Sequence, residues 1–177
     1  MASETLSYMV DLIANNNPFW MTFPDELLVA IFWEETMFQN IEQIKGKNGQ
    51  VGLGFGQVQE DSLPLIATRM GKSFARGLIT QTPSMSVEVA SYCLEALRRG
   101  FQTGSPESAY KVGYAGATPD GKNQILDGRT RGQIANSVWS AHLDLCACTS
   151  WDDRDTVQRA LMKARPASNS VFDGIFS

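Results

Sequence analysis

Pro24-Asp25-Glu26-Leu27-Leu28-Val29-Ala30-Ile31-Phe32-Trp33-Glu34-Glu35-Thr36-Met37-Phe38 is the stretch that decides the fold. Between Leu27 and Trp33 it is apolar on every side, and a helix hydrophobic all round belongs inside a protein rather than on its surface. Pro24, Asp25 and Glu26 suit a first turn, where a missing N–H is harmless and acids meet the positive end of the helix dipole. The segment therefore reads as a central, buried helix running toward Phe38. It carries two carboxylates, Glu34 and Glu35. On a helical wheel Glu35 falls with Leu28, Ile31, Phe32 and Phe38, while Glu34 falls with Leu27, Ala30, Ile31 and Phe38. Periodicity does not separate them. A carboxylate in such surroundings is expensive to ionise and holds its proton tightly. An arbitrary Glu-Glu pair would more often lie on a solvated strip.

Outward from this helix the chain is mainly α-helical. Leu6, Met9, Val10, Ile13 and Ala14 mark a first amphipathic helix after a Ser3 cap, ended by Asn15-Asn16-Asn17-Pro18. Beyond the central helix, five glycines in the twelve residues Gly46 to Gln57 predict a loop or short bent hairpin. A short helix is expected from Asp61-Ser62 to Gly71. A cleaner one is expected from Ser86, with Val87, Ala90, Leu94 and Leu97 on one stripe and Arg98-Arg99-Gly100 at its end. Ser105-Pro106-Glu107 starts another, leading into Ala109-Tyr110. Gly113 to Arg131 is rich in turn residues, notably Thr118-Pro119-Asp120-Gly121. Ile134, Val138, Ala141 and Leu145 mark a long helix, and Asp152 to Ala164 a last one, ending before Pro166. Ala167 to Ser177 carries no periodicity. With no internal repeat or composition shift, residues 1–177 read as a single domain.

Composition narrows the chemistry. The 177 residues are 43% hydrophobic and 19% charged, a globular balance, with net charge −4 and scattered Lys and Arg. A nucleic-acid protein would present a basic face. The one histidine, His142, excludes a histidine-rich zinc site, so acid–base chemistry is sought among carboxylates. His142 itself falls in an amphipathic stretch and reads as a hydrogen-bonded structural residue. Cys93, Cys146 and Cys148 are odd in number and irregular in spacing, and read as small apolar packing residues, with one bridge from Cys93 left open. No metal or cofactor is expected. Leu27 to Trp33 is too short to span a bilayer, and Met1 to Leu6 has no signal-peptide character, so membrane insertion is not expected either.

The quoted stretch resembles the signature helix of soluble lytic transglycosylases and goose-type lysozymes, "P-x-L-(L)-x-A-I-x-x-E-S-x-F", which ends in a catalytic glutamate. The match implies that Glu35 is catalytic, with Thr36 replacing serine. Gly52-Leu53-Gly54-Phe55-Gly56-Gln57-Val58 resembles the same group's "G-x-x-G-L-M-Q-I" element lining the sugar cleft, with two extra glycines. This implies substrate contacts at Phe55 and Gln57. Ala109-Tyr110-Lys111-Val112-Gly113 resembles the transglycosylases' "A-Y-N-x-G", with Lys111 in place of asparagine. Lys111-Val112-Gly113-Tyr114-Ala115-Gly116-Ala117-Thr118-Pro119-Asp120 equally resembles the "K-x-G-Y-A-T-D-P" stretch of flagellar-type peptidoglycan N-acetylglucosaminidases. The first likeness puts Tyr110 in the cleft and the second puts Tyr114 there. Resemblance covers Leu6 to Tyr114, and the C-terminal third adds nothing to it.

What this likeness implies is a lysozyme-like helical domain that cleaves β-1,4 bonds of peptidoglycan strands, as an N-acetylglucosaminidase or a muramidase. Cleavage requires protonation of the leaving oxygen, the task of a glutamic acid kept protonated near neutrality. Glu60, Asp61, Asp120 and Asp127 are candidates for a second carboxylate, about 5 Å from Glu35 in a retaining enzyme or about 6.5–9.5 Å in an inverting one. A lytic transglycosylase, needing no second carboxylate, is the next reading. The compact form without an export signal resembles type VI secretion effectors, antibacterial toxins delivered to a rival's periplasm and neutralised by a cognate immunity protein over the cleft. A phage endolysin or an inactive glycan-binding protein are the alternatives.

Overall fold

A computed structural model of the chain describes residues 2–45, 49–117, 125–126 and 128–177. It is mainly helical. The central helix, α2 (Asp25–Thr36), has Leu27 through Trp33 each at most 1% exposed, as a helix without a polar face must. It stops at Thr36, short of Phe38, because Met37 and Phe38 both take left-handed backbone angles, φ 50° and 64°. The Met37 N–H caps the Trp33 carbonyl at 3.0 Å, and the reversal folds the Phe38 ring back against Trp33, centroids 5.3 Å apart.

Helix α1 (Leu6–Asn16) buries Leu6, Met9 and Ile13 and leaves Ala14 exposed. Its cap is Thr5, whose hydroxyl accepts from the Tyr8 N–H, not Ser3, which lies too far upstream to reach the first turn. After α2 the glycine-rich segment forms a three-stranded antiparallel sheet, β1 (Glu42–Lys45), β2 (Gln50–Leu53) and β3 (Val58–Gln59), in that spatial order. Leu53 pairs with Glu42 on one side and Val58 on the other. Helix α3 (Ser62–Met70) ends at Gly71 as expected, and a short α4 (Arg76–Ile79) follows that no periodicity announced. Helix α5 (Pro83–Arg98) begins earlier than Ser86, with Pro83 at its first position. Ser86 is instead buried and accepts the Phe55 N–H at 2.8 Å.

Helix α6 (Pro106–Ser108), capped by Ser105, runs into a π-helix, Ala109–Tyr114, closed by the Ala115 N–H on the Tyr110 carbonyl at 2.7 Å. The turn Thr118 to Gly121, with Asp120 and Asp127, lies outside the described residues. Strands β4 (Ile125–Leu126) and β5 (Arg129–Thr130) pair just before α7 (Arg131–Ala147), which Thr130 and Gln133 close with a reciprocal capping box. Helix α8 (Arg154–Ala164) matches expectation. The segment after it does not, for Ser168 caps a further helix, α9 (Asn169–Ile175), that buries Phe172 and Ile175. Two short-range apolar residues are too few to register as periodicity.

Helix α2 is packed by α1, α7 and α8, and α5 by α1, α3 and the π-helix. Buried residues from Leu6 to Ile175 join one apolar cluster. All three cysteines are free thiols. Cys93 is buried and Cys148 half-buried, but Cys146 is exposed, which corrects the expectation that all three pack. His142 sits 2.5 Å from the Trp139 carbonyl through Nδ1, and burial lowers its pKa. No described helix is long and apolar enough to cross a membrane, and no cluster of metal-ligating side chains occurs among the described residues.

Candidate active site

The last turn of α2 sends its two carboxylates to different neighbours. Glu35 lines a cleft of about 560 Å³ walled by Gln50 to Gly52 of β2, by Gln57, by Tyr114 at the end of the π-helix, and by Arg131 at the start of α7. Glu34 turns instead toward β5, where Arg129 Nη2 donates to both its carboxylate oxygens at 3.1 and 3.3 Å. Burial pushes the Glu34 carboxyl up to about 7, against the pull of Arg129. Glu34 thus carries a carboxyl raised by burial in the apolar helix, and Glu35 is the one that lines the cleft.

Thr36 ties the helix to the glycine-rich segment. Its hydroxyl lies 2.9 Å from the Phe55 carbonyl and 3.2 Å from that of Phe32, and accepts the Gln39 N–H. Phe55 is therefore drawn inward. Its ring is fully buried against Phe32, centroids 5.8 Å apart, so it does not wall the cleft as expected. Gln57 does reach the cleft, held by Nε2 donating to the Ile41 and Gly54 carbonyls, both at 2.9 Å. Its backbone takes φ 50°, and its buried Oε1 meets no donor among the described residues. A Cβ on Gly52 would stand 2.4 Å from that oxygen, so only glycine leaves room for the amide.

Tyr114 closes the opposite wall. Its hydroxyl donates to the Gly56 carbonyl at 2.5 Å, and a Cβ on Gly56 would come within 2.4 Å of it. Tyr110 is buried behind it, stacked between Tyr114 and Trp139 at 6.1 and 6.4 Å. Of the two tyrosines expected to compete for the cleft, Tyr114 lines it and Tyr110 supports it. Desolvation raises both phenols well above their ordinary range, leaving them as neutral hydroxyls.

Glu35 is the one carboxylate lining the cleft among the described residues. Glu60 is engaged elsewhere, bridged with Glu42 by Arg76 at 2.7 Å on each side, and Asp61 is exposed. Arg131 and Cys93 line the cleft without having been anticipated. For Arg131 a signal existed, since Thr130-x-x-Gln133 is a helix-start pattern that places residue 131 in a first turn. Burial pushes the Cys93 thiol up to about 12, which keeps it protonated and inert. No protein family, curated protein or solved structure was found to match this chain.

Proposed function

We propose that this chain is a lysozyme-like glycoside hydrolase acting on the β-1,4 bonds of peptidoglycan, as an N-acetylglucosaminidase or muramidase, with Glu35 as its general acid. One observation carries the reading. Glu35, Gln57 and Tyr114, far apart in sequence and each belonging to a separate motif, line a single cleft. In the proposed reaction Glu35 gives its proton to the leaving glycosidic oxygen as the bond to the anomeric carbon breaks, and a water oxygen then bonds that carbon, its released proton restoring the carboxyl. Gln57 and Tyr114 flank the sugar. General acid catalysis contributes about 10²–10⁴-fold, so Glu35→Gln should reduce cleavage of purified cell wall by at least about 100-fold while melting normally. Activity that survives Glu35→Gln would leave an enzyme of another kind, and binding without cleavage in the wild type would leave an inactive glycan-binding protein.

A specific observation favours lytic transglycosylation as the second reading. Among the described residues neither Glu60 nor Asp61 joins Glu35 in the cleft, and transglycosylation, assisted by the substrate's own groups, needs no such partner. Mass spectrometry of the products separates the two, because hydrolysis adds one water per bond cleaved and transglycosylation adds none. By the likeness to type VI effectors, the chain is proposed to act as an antibacterial toxin in a rival's periplasm. A cognate immunity protein would cover the cleft. Soluble muropeptide should then slow binding of that inhibitor, whereas an inhibitor indifferent to a filled cleft would favour an endolysin.

A further inference from the structure

We infer that Glu34, through Arg129, is a positioning residue that holds the Arg131 wall of the cleft in place. The inference rests on the functional reading above and extends it to a carboxylate that never meets substrate. Arg129 spans two anchors, with Nη2 on the Glu34 carboxylate and Nη1 on the Ala164 carbonyl at 2.9 Å. A second strut reinforces the same corner. Arg165 Nη1 donates to the Glu34 carbonyl at 2.8 Å, and the Arg165 carbonyl accepts the Trp33 indole N–H at 2.9 Å. Together they fix the last turn of α2 to β5 and to the end of α8.

What this frame controls follows from chain order. Arg129 is in β5, Thr130 caps α7, and Arg131 opens α7 on the cleft, its Nη1 donating to the Ala115 carbonyl just past Tyr114. One residue, Thr130, thus separates the anchor on Glu34 from the side chain on the cleft wall. The planar guanidinium holds the Glu34 carboxylate with one nitrogen and the Ala164 carbonyl with the other, a fixed two-point geometry that a lysine does not reproduce.

The pair is also sensitive to pH. Facing Glu34 are Arg129 from β5, Arg165 from beyond α8, Glu35 on its own helix, and Tyr110 from the π-helix, whose phenol stays neutral. With the Glu34 carboxyl at about 7, the ionised bridge is present above that pH and lost as pH falls through it. Because burial raises the carboxyl from 4.5 to about 7, ionising Glu34 costs the folded state stability above that pH, and the bridge is kept despite the cost.

The test is steady-state cleavage of soluble, uncrosslinked glycan strands from pH 5 to 9, with melting temperatures alongside. Glu34→Gln should raise KM at least threefold at pH 8 with kcat within twofold. Its KM should match the wild type at pH 5.5, and it should melt no lower at pH 8. Arg129→Lys should reproduce the KM rise and serves if Glu34→Gln folds poorly. In the Glu34→Gln background, Arg129→Lys should add nothing. Wild-type KM across the pH range in both variants would overturn the inference. A chain with no Glu35-dependent cleavage would sink the functional reading itself, an outcome told apart by the Glu35→Gln control.

Discussion

At the scale of single residues, two neighbouring glutamates meet different surroundings because a helix turns by about 100° per residue. Glu35 reaches the cleft, and Glu34 reaches Arg129. The same logic separates the tyrosines. Tyr114 donates to the Gly56 carbonyl from the cleft wall, while Tyr110 stacks beneath it. Tyr114→Phe should remove that hydrogen bond, lower stability by about 1 kcal/mol, and reduce cleavage at least tenfold. Tyr110→Phe should keep cleavage within twofold. Equal losses in assays of the two purified variants would leave the cleft assignment without support. Neither distinction was legible in the sequence. The wheel places both glutamates among apolar neighbours, and the tyrosine choice depends on a π-helix that adds one residue to the turn.

At the scale of elements, the site is made by fastening the glycine-rich turn to the end of α2. Thr36 grips the Phe55 carbonyl, Ser86 grips the Phe55 N–H, and Tyr114 grips the Gly56 carbonyl. The glycines themselves announced a turn, and their function in it is close approach. Gly56→Ala would push a methyl into the Tyr114 hydroxyl and to 2.9 Å from the Phe32 ring. Overpacking of this kind costs about 1–3 kcal/mol, and here it should also open the cleft wall. Thr36→Val keeps the volume but strands buried backbone groups, for a loss of about 1–3 kcal/mol. Urea melts of the two variants check both values, and unchanged midpoints would mean that the turn holds its shape without these contacts. Elements read from the sequence were those with several periodic residues, such as α1, α5 and α7. Helices α4 and α9 escaped because four to seven residues show too little periodicity, and the β4–β5 pair because its ladder is two residues long.

At the scale of the whole molecule, the C-terminal third supplied no motif yet completes the environment of the central helix. Helix α7 covers one side of α2, and α8 another, and α9 delivers Phe172 onto the far edge of the Trp33 indole. The tail looked featureless because its contribution is long-range. Phe172 is fully buried, with its ring 5.1 Å from that of Trp33, which in turn is fixed by its hydrogen bond to the Arg165 carbonyl. Phe172→Ala should therefore destabilise the entire protein rather than fray its end. A buried Phe→Ala change costs about 3–5 kcal/mol, equivalent to a fall in Tm on the order of 10 °C for a chain of this size. Phe176→Ala, removing a half-buried ring that sits 5.0 Å from the Arg154 guanidinium, should cost only about 1 kcal/mol. Neither ring lines the cleft, so at temperatures well below the melt both variants should cleave within threefold of the wild type. Calorimetry checks the stability order, and a Phe172→Ala protein melting like the wild type would show that α9 is an appendage and that α2 is buried without it.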